Sequence, residues 1–419
     1  MVHFRVTNVT QKSTVRNILV NKGAHGDLWL KPGKERSLAR RHPWIYATAV
    51  ARVAGAPAAG DLVAVRGADG RWLAWAAYAP DSLIRARCWS FDEQAQIDRD
   101  WLAARVRESV ARRARLVDHS NALRLVYGEA DLLPGLIVDR YADQLVVQLQ
   151  SPGVQAHREV LLDALCQSSG CSDVYERSAA ETGDARGVLR GREPTAPIQV
   201  HENGLAFRVD VRRGHKTGFY IDQRDNRRLA VELARELAAS LKHEPRALNA
   251  FCYTGAFSIA LARGGAGEVI SIDSSADALA LGATHAELNG LDTASLTWRC
   301  ADVFEELRAL RDTAERFDLI VLDPPKFAAN HHQVERAARA YKDINWIALR
   351  LLQPGGVLMT FSCSGAIGVE LFQKIVAGAV IDSGVDCAMR ARLGPGADHP
   401  MLMTHPEGEY LKGLLLQRL

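Results

Sequence analysis

The sequence lacks several features that would assign it to a class at once. Its 419 residues contain no apolar run close to the roughly 18–20 residues that a membrane span needs. The first residues also lack the apolar core of a secretory signal. Neither sign of charge prevails, since 52 Lys and Arg stand against 49 Asp and Glu. We therefore expect no membrane or signal segment, and a nucleic-acid partner is neither required nor excluded.

Paired cysteines are also missing. The seven cysteines are scattered along the chain without a Cys-x-x-Cys pair, which predicts neither a disulfide framework nor a zinc site. The pattern is typical of reduced thiols in the cytoplasm, so we expect no metal. Hydrophobic residues make up 47% and charged residues 24%, which excludes a disordered or collagen-like chain. A chain of this length and composition predicts two or three folded domains.

Four stretches differ in pattern and predict the domain organisation. Residues 1–29 show no clear periodicity and are predicted to be an extension. Residues 30–96 contain short alternating strands with a basic rim and interleaved aromatics, which predicts a small β-rich domain. Residues 97–210 combine an Arg-rich helix with short strands and a second helix, which predicts a small α+β domain. Residues 211–419 alternate strands and helices.

The last stretch predicts an α/β domain. Its expected strands are 246–251, 268–273, 296–300, 317–323 and 356–362, each followed by a helix. Alternating units of this length indicate a parallel, doubly wound, Rossmann-like sheet.

Chemically distinctive residues stand at the end of each of these strands. They are Gly255, Asp273, Asp302, Asp323 and Cys363. Each has a structural alternative, because a glycine can make a turn, an aspartate can cap a helix and a free cysteine can be buried. Ligands of doubly wound sheets bind beyond the carboxyl ends of the strands, so five such residues together predict one ligand site. The absence of Gly-x-Gly-x-x-Gly and of a Walker lysine argues against nicotinamide and NTP ligands.

These residues carry a resemblance. The segments Asn249–Phe257 and Asp323–Pro325, with Asp273 and Asp302, resemble the cofactor motifs of class I S-adenosylmethionine-dependent methyltransferases. Further motifs resemble the bacterial enzymes that form 5-methylcytosine in 23S rRNA: Arg40–Trp44, Gly128–Gly135, His215–Asn226, Asp323–Phe327, Tyr341–Asn345, Thr360–Gly365 and Ala397–Pro400. The resemblance covers about residues 30–419.

The resemblance implies an architecture and partners. Residues 30–96 would form a PUA RNA-binding domain, residues 97–210 a central domain and residues 211–419 the methyltransferase domain. The cofactor would be S-adenosylmethionine and the partner 23S rRNA, with no membrane and no metal. The enzyme would be cytoplasmic, and its oligomeric state, a homodimer included, stays open.

The resemblance also implies residue roles. The cofactor-binding residues would be Phe219, Tyr220, Gln223, Arg224, Asn249, Phe251, Tyr253, Thr254, Gly255, Asp273, Asp302 and Asp323. The substrate-binding residues would be Arg40, Arg41, Pro324, Pro325 and Lys326. The structural alternative for Phe219 and Tyr220 is core packing, and for Arg224 it is a surface charge.

The implied reaction is covalent. The thiol of Cys363 would add to carbon 6 of cytosine, with Asp323 facing the ring nitrogen. Cys252 is a competing nucleophile, but it lies inside the cofactor loop. Related RNA enzymes carry a second cysteine after the proline of the Asp-Pro segment, where this chain has Lys326, so the base that removes the C5 proton stays unidentified. Two alternatives remain, namely methylation of an adenine or guanine amino group and a non-catalytic RNA-binding or assembly factor.

Overall fold

The first folded unit is a β-rich domain. The computed structural model describes residues 25–178, 185–328 and 330–419. The sheet of the β-rich domain has six strands in the order β2-β6-β5-β4-β1-β3. The elements are β1 (Gly26–Leu30), α1 (Arg36–Ala39), β2 (Trp44–Tyr46), β3 (Val50–Ala54), β4 (Leu62–Arg66), β5 (Trp72–Tyr78) and β6 (Ile84–Ser90). Buried Leu28, Val63 and Val65 lie at its centre, so the alternating pattern of the sequence is confirmed as sheet structure.

The predicted N-terminal extension ends earlier than expected. Residues 1–24 of the predicted segment lie outside the described residues. Strand β1 starts at Gly26 and pairs with β4 in parallel and with β3 antiparallel, so residues 26–29 belong to the sheet. The five residues of β1 are too few to show a period, and their burial comes from partners distant in sequence.

A second unit combines one sheet with helices. Its five strands have the order β11-β10-β9-β8-β7. The elements are α2 (Arg99–Arg112), β7 (Ala122–Tyr127), β8 (Leu136–Tyr141), β9 (Gln144–Leu149), α3 (Pro152–Ala156), α4 (Arg158–Ser169), β10 (Asp173–Ser178) and β11 (Ala185–Arg190). Leu102 and Val106 of α2 are buried in the core of this unit, as the apolar periodicity of that segment predicts.

A short hairpin connects the second unit to the third. Strands β12 (Ile198–Glu202) and β13 (Leu205–Val209) pair antiparallel. Phe207 packs edge-on against the ring of His285, and the backbone of Arg208 donates to the same imidazole. The hairpin thus shares its core with the third unit, although sequence pattern alone groups it with the second.

The third unit is the doubly wound α/β domain. Its seven strands have the order β16-β15-β14-β17-β18-β20-β19. The elements are α5 (Arg224–Ser240), β14 (Arg246–Ala250), α6 (Ala256–Arg263), β15 (Glu268–Asp273), α7 (Ala276–Leu288), β16 (Leu296–Cys300), α8 (Val303–Asp312), β17 (Phe317–Leu322), α9 (Val334–Leu351), β18 (Leu352–Ser362), α10 (Val369–Ser383), β19 (Cys387–Leu393) and β20 (Lys412–Arg418).

The last two strands were not foreseen from the sequence. Strands β14 to β18 are parallel, as predicted, but β20 pairs antiparallel with β18 and β19 antiparallel with β20. The segment between β19 and β20 runs from residue 394 to residue 411 and returns across the carboxyl ends of the strands. It brings Asp398, His405, Glu407 and Tyr410 to the other units.

Asp398 is the ionic centre of this return segment. Its carboxylate accepts two hydrogen bonds from Arg224 at 3.0 and 2.8 Å and one from the backbone of Arg124 at 2.9 Å. His399 contacts the same carboxylate at 2.9 Å. Burial opposes ionisation, yet His399 and Arg224 hold the pKa of Asp398 well below its usual range. One buried carboxylate therefore joins β7 of the second unit to α5 and to the return segment.

Replacing Asp398 by Asn should therefore destabilise the protein strongly. The change removes the buried counter-charge of the Arg224 guanidinium and leaves only the partly exposed Asp225 at 3.8 Å, and breaking a buried pair in this way typically costs about 3–5 kcal/mol of unfolding free energy. Urea denaturation followed by circular dichroism measures this loss. Glu335→Gln is the control, because that carboxylate is 89% exposed. A loss for Asp398→Asn as small as that of the control would contradict the structural role.

Candidate active site

The loop after β14 forms the first wall of a cleft. Phe251 and Tyr253 adopt positive φ angles of 61° and 50°, and Gly255 has φ of 67°. A Cβ atom at Gly255 would come within 2.3 Å of the ring of Trp298. Only glycine fits at this position, because the backbone has a positive φ and the Trp298 ring leaves no room for a Cβ atom. The sequence had suggested a different reason, namely the close approach of a ligand.

Two carboxylates follow the next two strands. Asp273 accepts backbone hydrogen bonds from Tyr253 at 2.8 Å and Ser275 at 3.0 Å, one on each oxygen. Asp302 caps α8 by accepting the backbone N–H of Glu305 on Oδ1, so its capping alternative is confirmed. Both side chains remain accessible and keep acceptor lone pairs at the cleft. Acceptors of this kind suit the hydroxyl and amino groups of a nucleoside.

Three phenylalanines form an aromatic cluster beside these carboxylates. The sequence predicted Phe251 as a site residue but not Phe304 or Phe327. Phe251, Phe304 and Phe327 lie with ring centroids 5.7–6.2 Å apart. All three are only partly buried. Phe304 stands two residues after Asp302 and Phe327 directly after the Pro-Pro-Lys segment, which is the signal that could have indicated them. Their exposed faces suit a planar heterocycle.

The remaining cofactor candidates in this loop are inside the fold. Asn249 is buried and donates to Ser258 at 2.8 Å, while its Oδ1 accepts no hydrogen bond among the described residues. Thr254 Oγ1 is likewise buried and without a partner in the part of the chain described. These unsatisfied atoms next to the positive-φ loop fit a site that is completed by a ligand or water.

Asp323 lies at the end of β17, next to the end of β14. Its backbone N–H donates to Ala250. Burial and the neighbouring carboxylate of Asp222 raise the pKa of Asp323 to about 7, against lowering contributions from Lys216 and Gln223. The carboxyl group therefore carries a proton in a large fraction of molecules at neutral pH. Pro324 is buried after it, whereas Pro325 and Lys326 are exposed.

Cys363 lies beside this carboxyl group. Strands β17 and β18 are neighbours with Leu322 paired to Thr360, so Asp323 and Cys363 leave the sheet at the same edge. The Cys363 thiol is half-buried and lies 3.8 Å from the carbonyl oxygen of Pro324. Burial and the charge of Asp323 raise its pKa to about 11.

Cys252, the competing thiol, differs in access. It is 7% exposed, and burial raises its pKa well above the ordinary value. Its Sγ contacts the backbone carbonyl of Tyr253 at 3.7 Å. Since a nucleophile must reach its substrate, the accessibilities favour Cys363 over Cys252.

A strap of residues 215–223 covers the open side of the cleft. Lys216 has φ of 52°, and its ammonium lies 2.6 Å from Asp222 and 4.4 Å from the ring centroid of Tyr220. Tyr410 of the return segment donates to the same Asp222 oxygen at 2.5 Å. The charge of Lys216 lowers the pKa of both Asp323 and Cys363, which places this ammonium near both groups.

Two predicted cofactor residues are buried within the fold. Phe219 is 2% exposed and packs on Phe207, so its core alternative is the one the structure shows. Arg224 is also 2% exposed and is bound to Asp398. It is therefore a buried ion-pair partner and not a surface charge. Tyr220 and Gln223 do lie near Asp323.

The predicted RNA-binding arginines lie on the β-rich unit, close to the return segment. Arg40 and Arg41 are exposed in the turn before β2. The next residue, His42, lies 3.0 Å from Glu407. The ring centroids of Trp44 and His405 lie 4.5 Å apart, so Trp44 packs at the interface between the β-rich unit and the return segment.

The described residues contain neither a metal-binding cluster nor a membrane-spanning helix. Among them, no group of three or more His, Cys, Asp or Glu side chains could hold a metal ion. Within the same ranges, no helix is both long and apolar enough to cross a membrane.

Two family models match the chain, one over the β-rich unit and one over most of the rest. The model for S-adenosylmethionine-dependent methyltransferases matches residues 129–381, and a model for PUA-like domains matches residues 28–91. The first match includes the cleft with Asp273, Asp302, Asp323 and Cys363. The second covers the six-stranded sheet.

Relatives and solved structures agree with these matches. The chain is 45% identical to a Ribosomal RNA large subunit methyltransferase I of Shewanella denitrificans over 92% of this chain and 98% of that protein. It is 44% identical to the protein of that name from Tolumonas auensis over 94% and 99%.

Among solved structures, a SAM-dependent methyltransferase of Streptococcus mutans has a TM-score of 0.80 at 21% identity, over 93% of this chain and 99% of that one. A methyltransferase complexed with SAH has a TM-score of 0.81 at 21% identity, with the same coverage. These structures share the fold. The chain therefore belongs to the S-adenosylmethionine-dependent methyltransferases, within the family of ribosomal RNA large subunit methyltransferase I.

Proposed function

We propose that this enzyme methylates carbon 5 of a cytosine in 23S rRNA through a covalent bond between Cys363 and carbon 6. The observation that carries the proposal is the position of an accessible thiol and a carboxyl group of raised pKa at the ends of two adjacent strands. The rRNA substrate is supported by the names of the relatives and by the PUA-like unit. An enzyme that acts on rRNA would be expected in the cytoplasm of a bacterium.

The chemistry needs a nucleophile because carbon 5 of cytosine does not attack readily on its own. Addition of the Cys363 thiolate forms an S–C6 bond and moves the electrons of the C5=C6 double bond toward carbon 5. S-adenosylmethionine supplies the methyl group on a sulfonium that carbon 5 can attack. Transfer of the C5 proton to a base or to water re-forms the C5=C6 double bond and expels the Cys363 sulfur as a thiolate, which releases 5-methylcytosine.

Asp323 supports the addition step. Thiolate addition places negative charge on the ring nitrogen N3 and the atoms around it. A protonated Asp323 donates a hydrogen bond there and neutralises that charge. Its raised pKa makes the protonated form available at neutral pH. Buried Pro324 and exposed Pro325 provide a rigid wall against which the base can lie.

The cofactor would lie across the ends of β14, β15 and β16. Asp273 would accept the ribose hydroxyls, and Asp302 would accept the adenine amino group with its free oxygen. Phe251, Phe304 and Phe327 would contact the adenine ring. Tyr220, Gln223 and the backbone of Tyr253–Gly255 would enclose the methionine end.

The RNA would cross from the β-rich unit to the cleft. Arg40, Arg41 and Lys326 are exposed cations suited to phosphate groups. The contact between His42 and Glu407 holds the Arg40–Arg41 turn beside the return segment, whose Tyr410 reaches the active-site strap. The target base must be unpaired or turned out of its stack to reach Cys363.

Amino-group methylation is the competing activity. Enzymes of that kind carry an aromatic residue after the second proline, where this chain has Lys326, and they leave a thiol such as Cys363 without a role. The experiments below separate the two activities.

Cys363→Ala should abolish rRNA methylation, with at least about a 1,000-fold loss of rate, because covalent activation of the base is lost. Binding of S-adenosylmethionine, measured by calorimetry, should be unchanged. Cys387→Ala, a half-buried thiol on the edge strand β19, is the matched control and should retain full activity. Full activity of Cys363→Ala would reject the covalent mechanism.

The pH dependence of kcat/KM should report Asp323. Because the protonated carboxyl group is the active form, kcat/KM should acquire a falling component as pH rises through about 7, the pKa of this group in the free enzyme. Asp323→Asn donates a hydrogen bond at every pH and should lose that component while retaining reduced activity. A falling component that persists at the same pH in Asp323→Asn would assign it to another group.

Asp273→Ala should weaken S-adenosylmethionine binding about 10- to 100-fold, because the ribose loses its charged acceptor. Asp277→Ala is the control, since this exposed carboxylate lies in the first turn of α7 a few residues away. Isothermal calorimetry on both variants measures the difference. Equal affinities in the two variants would refute the ribose assignment.

A further inference from the structure

A buried lysine that the reaction above does not use lies beneath the proposed nucleophile. Lys412, the first residue of β20, is 3% exposed and is paired across the sheet with Ser362, the residue before Cys363. Its ammonium donates to the backbone carbonyls of Ser364 at 2.8 Å and Ile367 at 2.6 Å. Both carbonyls belong to the turn that follows Cys363.

The ammonium has no carboxylate partner. Among the described residues, the lysines that form ion pairs are Lys216 and Lys342, so Lys412 has no carboxylate oxygen within 4.0 Å. Burial lowers the pKa of Lys412 to about 8, and a negative charge on Cys363 acts in the opposite direction. Burying an ammonium group without a counter-charge lowers the free energy of unfolding, so Lys412 destabilises the fold.

We propose that Lys412 is a positioning residue for Cys363, whose ammonium fixes the turn Ser362–Ile367 under the thiol and whose charge stabilises the thiolate. The inference rests on the proposed function, in which Cys363 is the nucleophile. When the thiol loses its proton to water through its accessible face, the thiolate becomes the missing counter-charge of the buried ammonium.

Tethering alone does not explain a charged group here. A neutral amide donates to two carbonyls as well as an ammonium does, and it avoids the cost of a buried charge. The charge of Lys412 therefore calls for a partner of opposite sign. The thiolate of Cys363, whose negative charge favours the charged form of Lys412, is that partner.

Other charged groups near Cys363 disfavour its thiolate, so a nearby cation would have a larger effect on its ionisation. The titratable groups that act on Cys363 are Asp323 and Asp222, which disfavour the thiolate, Lys216, which favours it, and the phenols of Tyr220 and Tyr341. Those that act on Lys412 besides the thiol are Glu409 and Lys326. Two carboxylates thus oppose ionisation of Cys363, and in this proposal the buried charge of Lys412 offsets part of their effect.

The test is the rate at which iodoacetamide alkylates Cys363 in the full chain, followed on the peptide that contains it by mass spectrometry. Lys412→Gln keeps hydrogen-bond donors but removes the charge, and it should lower the rate at pH 7 about tenfold, as expected for a thiol pKa about one unit higher. Lys412→Arg keeps the charge and should stay within about threefold of the wild type. Lys374→Gln, an exposed lysine on α10, is the control and should be unchanged.

A wild-type measurement tests the same idea without a variant and decides the matter if Lys412→Gln does not fold. The alkylation rate should rise nearly tenfold per pH unit well below pH 8 but only about threefold between pH 8 and pH 9, because loss of the Lys412 charge offsets part of the gain of thiolate. An unbroken tenfold rise per unit through pH 9.5, or an alkylation rate in folded Lys412→Gln equal to the wild-type rate, would overturn the proposal.

Failure of the proposed function has a different signature. Full methylation by Cys363→Ala would remove the nucleophile from the reaction, whereas the alkylation rates would still report whether Lys412 acts on the thiol. In methylation assays, Lys412→Gln should lower kcat and leave the affinity for S-adenosylmethionine unchanged.

Discussion

The carboxylate of Asp398 is the interaction on which the arrangement of the molecule depends. It is buried, and it binds Arg224 at the start of α5 and the backbone of Arg124 in β7. Through it, the return segment between β19 and β20 is fixed across the carboxyl ends of the strands. That segment also supplies Tyr410 to Asp222 and leads directly into Lys412. A buried charge pair that takes no part in the reaction thus positions residues of the active site.

The active site combines opposing electrostatic requirements. A thiolate nucleophile needs positive surroundings, whereas a protonated carboxyl group needs negative or apolar ones. The structure meets the second requirement by burying Asp323 near Asp222, which raises the pKa of Asp323 to about 7. Lys216 lowers the pKa of Cys363, and Lys412 binds the turn that follows it. Because the pKa of the thiol is still about 11 with these cations present, further activation has to accompany substrate binding.

The sequence predicted the parallel core well because local patterns determine it. The five parallel strands and the residues at their ends follow from alternating apolar segments, so Asp273, Asp302, Asp323 and Cys363 could all be located. Features made by distant partners could not be predicted. The charge of Arg224 gives no sign of Asp398, 174 residues away, and nothing marks Lys412 as buried until β20 is seen to pair with β18. The role of Gly255 was likewise inferred as ligand contact, because the Trp298 ring that requires it comes from another strand.

The central claim is that Cys363 bonds covalently to carbon 6 of cytosine. The most direct measurement uses an rRNA fragment containing 5-fluorocytidine together with S-adenosylmethionine. Fluorine at carbon 5 cannot leave as a proton does, so the S–C6 bond should persist after methyl transfer. The account predicts a stable protein–RNA adduct whose peptide map locates the added mass on Cys363. An adduct on Cys252, or methylation of unmodified RNA without any adduct on the fluorinated RNA, would contradict it.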